Sequence, residues 1–157
     1  MLQARRLNRE AAVNLTQRRA WFVDETVTAA NVKWVSGVRP ATVKAGDTIA
    51  AGKVCYLDTT TNLQELADAD NDATSVVSGI SIDGGVDGRD MFLAIPGSVI
   101  NVGFTTTAGA IYTLSITPGG ICIDVDLASG DWVNVLFIGN GTANVELICK
   151  RGTVVHA

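Results

Sequence analysis

An all-β fold is predicted for this chain: a sandwich or barrel built on a pseudo-repeated β unit, preceded by an extended or partly helical N-terminal arm. Three observations carry that expectation. From about residue 40, short runs of β-branched and aromatic residues alternate with clusters of Gly, Pro, Asn and Asp, the pattern of short strands joined by turns. Hydrophobic residues make up 47% of the 157 and charged ones 18%, with 16 glycines, which suits a real core with many tight turns and not a disordered chain. The phrase Ala51-Gly52-Lys53-Val54-Cys55-Tyr56-Leu57 also returns 57 positions later as Ala108-Gly109-Ala110-Ile111-Tyr112-Thr113-Leu114.

Residues 1–39 form the expected arm and 40–157 the β domain. From Leu2 to Ala20 there is no Gly or Pro, and Leu7, Ala11 and Leu15 recur at four-residue spacing, a thin apolar stripe that predicts a marginal helix. Trp21-Phe22-Val23 follows, then an extended passage through Lys33-Trp34-Val35. Aromatic and arginine side chains are enriched at interface cores, so Trp21 and Trp34 either anchor the arm on a partner or fold back onto the domain's own sheet.

Beyond Gly37 and Pro40 the strands come in quick succession. Thr42-Val43 and Thr48-Ile49 are short candidates, Lys53 to Leu57 is firmer, and a Thr59-Thr60-Thr61-Asn62 turn leads to a hairpin partner at Leu63 to Leu66. Ser75 to Ile82 is a strand interrupted by Gly79, a bulge or a close approach. After the Asp83–Gly88 turn come Met91 to Ile95 and, past Pro96-Gly97, Ser98 to Thr105. Gly109 to Ile116 is followed by a Pro118-Gly119-Gly120 turn and by Ile121 to Asp126, where Ile121, Ile123 and Val125 point one way and Cys122, Asp124 and Asp126 the other, so that half of the strand meets water. Asp131 to Ile138, apolar on both faces, is expected to be a central strand; Gly139-Asn140-Gly141 is a hairpin turn into Asn144 to Arg151. Each repeated phrase opens an interval ending in Gly, 27 residues from Gly52 to Gly79 and 30 from Gly109 to Gly139, which implies two related β units.

Charge is divided unevenly. Residues 1–39 carry seven basic and three acidic side chains, net +4, while 40–157 carry five and thirteen, net −8: a basic arm on an acidic body. Such a body repels phosphate, so direct nucleic-acid binding is not expected. No run reaches the ~18 apolar residues of a membrane span and no apolar leader follows Arg5-Arg6, which predicts a soluble protein made in the cytosol. Cys55, Cys122 and Cys149 lie singly in apolar runs and are expected to be reduced core thiols.

Catalytic constellations are missing from the pattern. The single His, His156, is next to last, no phosphate-loop glycine pattern occurs, and the aspartates fall in turns where they hydrogen-bond backbone. Asp68-Ala69-Asp70-Asn71-Asp72 begins like a calcium loop, but Ala73 and Gly79 occupy the positions that need Gly and Glu. The chain is expected to be no enzyme, with no metal or cofactor.

Several of these landmarks occur together in one known family. From about Val43 to Ala157 the chain resembles the head-decoration, or capsid cement, proteins of tailed bacteriophages. The likeness rests on Gly46, Ile49, Gly52 and Cys55-Tyr56-Leu57-Asp58, the Ala67-Asp68-Ala69-Asp70 loop, Val77-Ser78-Gly79-Ile80, Gly97-Ser98-Val99, the Ala108–Leu114 phrase, and Pro118-Gly119-Gly120-Ile121, in that order. The resemblance implies a compact β barrel or tulip-like sandwich, usually a homotrimer, that serves as a structural virion protein, binds the major capsid protein on the outer capsid surface and stabilises the expanded shell. The arm is not covered by the likeness. Its side chains Arg5, Arg6, Arg9, Arg18, Arg19, Trp21, Phe22, Lys33 and Trp34 are the expected capsid- or subunit-gripping residues, from their charge and aromaticity. Two other functions stay open: another phage virion module, at the neck or fibre base, or a β module binding host glycan. The near absence of aromatics from the turn loops weighs against the last.

Overall fold

The computed structural model describes residues 24–124 and 127–154. The described residues form twelve strands in three antiparallel sheets: β1 (Lys33–Gly37), β2 (Ala41–Lys44), β3 (Val54–Asp58), β4 (Leu63–Leu66), β5 (Val77–Ser81), β6 (Asp90–Ala94), β7 (Ser98–Asn101), β8 (Ile111–Leu114), β9 (Ile121–Ile123), β10 (Trp132–Ile138), β11 (Asn144–Glu146) and β12 (Lys150–Val154). Their orders are β1-β7-β11, β12-β10-β8-β9 and β2-β6-β5-β3-β4, and one short 3-10 turn, Ala29–Asn31, precedes β1.

The repeated phrase corresponds to repeated connectivity. Gly52, at φ +83°, opens a unit in which β3 is central, flanked by its hairpin partner β4 and by β5; Gly109, at φ +81°, opens another in which β8 lies between β9 and β10. A side chain resists that left-handed backbone, so glycine is the residue that lets each unit's first strand begin there. The turn of the second unit joins the first: the Val54 amide donates to the Gly119 carbonyl (3.0 Å), and the Gly119 amide to that of Ala67 (2.7 Å). The Ala69 amide likewise bonds the Ser115 carbonyl, while its own carbonyl accepts from Trp132 (2.8 Å). Ala67 and Ala69 are fully buried where this loop passes between the units.

The described residues pack around two apolar clusters. The larger draws Val54, Ile80, Ile100, Tyr112, Leu114, Leu136, Phe137, Val145 and Leu147 from all three sheets. Tyr112 and Phe137 stack at 4.9 Å between ring centres, with Phe104 tilted against both, and the Tyr112 hydroxyl accepts from the Thr107 amide at 2.8 Å. The smaller cluster, Ala45, Ile49, Cys55, Met91 and Leu93, lies on the other side of the five-stranded sheet, so β3 sends Val54 one way and Cys55 the other. Just past the end of β2, Ala45 makes one isolated parallel bridge to Gln64 of β4, where the Gly46 amide donates to the Gln64 carbonyl at 2.8 Å.

Several expected elements differ in detail. Thr48-Ile49 makes one bridge, Ile49 to Gly85, and no strand. The strand begun at Ser98 ends at Asn101, where the Asn101 side chain takes the Gly103 amide and Gly103 turns at φ +88°. Cys122 is buried, as expected of a core thiol, with Thr113 as its cross-strand neighbour, although it alternates onto the same strand face as Asp124, where exposure begins. Gly139-Asn140-Gly141 makes no hairpin: Asn140 bonds Thr142 and the Asn144 carbonyl, and β11 leaves to pair with β7. The expected strand Asn144 to Arg151 is cut at Cys149 (φ +47°), because the Ile148 and Cys149 amides share the Leu136 carbonyl, and β12 then returns to β10.

The described part of the expected arm, residues 24–39, is built into the body. β1 pairs with β7 from Lys33 opposite Asn101 to Gly37 opposite Ser98, Val32 is buried, and the Glu25 and Thr28 amides donate to the Ile121 and Gly103 carbonyls. The helix expected from Leu2 to Ala20 lies outside the described residues.

Candidate interaction surface

Of the nine residues expected to grip a partner, Lys33 and Trp34 are described; Arg5, Arg6, Arg9, Arg18, Arg19, Trp21 and Phe22 lie outside the described residues, as does His156. Lys33 and Trp34 are neighbours on β1, the edge of its sheet, and all five β1 residues are exposed. Successive strand side chains point to opposite faces, so the ammonium and the indole serve different sides of this edge.

Trp34 is held, not loose. Its indole Nε1 donates to the Val38 carbonyl at 3.1 Å, and the same oxygen accepts from the buried Ser98 hydroxyl at 2.8 Å. The ring thus lies along the β1–β2 connection, which is fixed in turn by the Val38 amide on the Gly97 carbonyl. Trp34 remains 38% exposed, with Val35 and Val38 also exposed beside it, giving an apolar edge of fixed shape. An aromatic with two χ angles and a bonded N–H loses little further freedom on contact, which suits an anchor.

A different part of the surface is acidic. Glu65 on β4 stands opposite Tyr56 on β3, and its carboxylate folds over Gly46, which has no side chain to obstruct it. Partial burial, then the charges of Asp47, Asp58 and Asp87, push the Glu65 carboxyl above the usual range. Tyr56 is raised for the same reasons, burial first and then Asp58 and Glu65. Asp58 moves the other way because the Thr60 amide donates to its carboxylate at 2.8 Å.

Two carboxylates of the Asp68–Asp72 loop have protein partners. Asp68 accepts from the Asp70 amide at 2.7 Å, and Asp72 pairs with Arg151, whose guanidinium lies 4.0 Å above the Trp132 ring. Among the described residues no group of three or more His, Cys, Asp or Glu is arranged to hold a metal ion. Burial raises the thiols of Cys55 and Cys149 to about 12, leaving them thiols at neutral pH and poor nucleophiles. A shallow cleft of about 140 Å³ lies where Asp24 meets Lys53 and Gly120; there the Asp24 carboxylate accepts from the Ser115 hydroxyl.

No protein-family model matches the chain, and no curated protein matches it. Among the described residues no helix is long and apolar enough to cross a membrane. The Arg151–Trp132–Asp72 cluster was not anticipated from sequence, since its members are 79 and 19 residues from Arg151; Trp132 beside an apolar strand start was the one available signal.

Proposed function

We propose that the protein is a structural virion component that binds the outside of a tailed-phage capsid and stabilises the expanded shell. The observation that carries this reading is the placement of the family-like motifs. The two Ala-Gly phrases open units of the same strand order, and the Pro118-Gly119-Gly120 turn hydrogen-bonds one unit to the other. The motifs are the joints of the framework, as they would be if the likeness extends to the fold.

In this role the protein works by contact area and symmetry, and needs no chemistry. Its partners are the major capsid protein and two further copies of itself. Three linked modest contacts gain effective concentration and exceed one contact by about a hundredfold or more. Basic residues of 1–23 and the Trp34 edge meet the capsid, while the acidic body faces outward. Residues 24–39 belong to the body, so the test separates the segments at Asp24: heads lacking the protein are titrated with the full chain and with a chain starting at Asp24. Loss of at least tenfold in affinity supports gripping by 1–23. Equal affinity removes that role, and no binding by either chain overturns the decoration reading.

A further inference from the structure

We infer that β12 is a releasable strap, hinged at Cys149 and clipped by Arg151, which opens as a unit while the rest of the fold stays intact. Four observations place it apart from its neighbours. β12 is the edge of its sheet, bonded to β10 alone, and their register slips between Trp132 and Asn134. None of its five residues is buried, whereas Val145 and Leu147 just upstream are 2% exposed, so apolar anchoring stops before the strap begins. Between anchor and strap stands Cys149 at φ +47°, a left-handed backbone uncommon for a residue with a Cβ, and its amide shares the Leu136 carbonyl with that of Ile148.

The fourth observation is what holds the strap down. Arg151 stacks on Trp132 and reaches the carboxylate of Asp72 and its carbonyl oxygen (3.3 Å), joining β12 to the loop that precedes β5. Segments with little buried surface and mostly exposed hydrogen bonds open below the global free energy. Opening frees the outer backbone edge of β10, bares the Trp132 ring and uncovers the Cys149 thiol at the rim of the core. The clip is partly exposed, so its loss shifts the equilibrium by about five- to tenfold.

The full chain is tested by native hydrogen exchange and by alkylation of Cys149 under conditions where opening is rapid. Residues 150–154 are expected to exchange faster than β3 and β8. Arg151→Ala, and separately Asp72→Asn, which leaves β12 untouched, are expected to speed exchange of 150–154 and labelling of Cys149 by about five- to tenfold. Labelling of the buried Cys55 stays unchanged. The strap is overturned if 150–154 exchanges only with the core, if neither variant alters its rate, or if Cys55 and Cys149 become reactive together.

Discussion

Gly79 of β5 lies directly against the Ala94 carbonyl of β6: a Cβ at Gly79 would stand 2.0 Å from that oxygen. Nothing in its own conformation calls for glycine; the neighbouring backbone does. Gly79→Ala must therefore push two central strands apart and is expected to cost about 3 kcal/mol. Gly109→Ala, at φ +81° with open space around it, faces only backbone strain and costs about 1 kcal/mol. Urea unfolding of the two variants checks the order; a reversed order would contradict the close approach.

The stacked pair Tyr112 and Phe137 sits in the main cluster, both essentially unexposed. Phe137→Ala leaves a cavity and is expected to lose about 4 kcal/mol. Tyr112→Phe keeps the stack and forfeits only the bond from the Thr107 amide, about 1 kcal/mol. Thermal unfolding distinguishes them, and equal losses would place the energy in the hydroxyl instead of the rings.

Glu65 gives a pH dependence of definite sign. Its carboxyl is raised above the ordinary 4.5 by partial burial and by Asp47, Asp58 and Asp87, so the folded state prefers it protonated. Its favourable contribution is present below that pH and fades as pH rises through the raised value. Glu65→Gln should thus unfold at higher urea than the parent at pH 7 and at nearly the same urea at pH 3.5. Asp58, lowered first by the Thr60 amide, follows the opposite course, and that hydrogen bond is retained in both proteins. No gain at pH 7 would contradict the crowding of carboxylates around Glu65.

Truncation tests where the body begins. A chain starting at Asp24 keeps β1 on β7 and should melt within a few degrees of the parent. One starting at Pro40 strips β7 of that neighbour and removes Val32 and Val27, which pack beside Gly52 and Gly103, for a loss of about 3 kcal/mol or more. Equal melting of the two would show β1 to be an ornament.

Much of this framework was legible in the residues. Cys55-Tyr56-Leu57 with its Thr-rich turn, Gly79 as a bulge or close approach, and Asp131 to Ile138 as a central strand, which begins one residue later at Trp132, all follow from period-two patterning and turn chemistry. The misses share a cause: a local pattern does not specify the partner strand. Asn140-Gly141 looks like a hairpin turn, yet the Asn140 side chain redirects the chain to β7, and the alternation from Asn144 to Lys150 survives a break at Cys149 that no periodicity marks. Trp34 was singled out by type alone; that Val38 and Ser98 fix its ring depends on a contact 60 residues apart.

The most direct test of the proposed role is the copy number on purified mature heads, measured by quantitative mass spectrometry against the major capsid protein and by imaging of the heads. Decoration predicts density on the outer shell with copies in multiples of three at each local threefold site. Absence from the shell, or a small fixed number confined to one vertex, would contradict it.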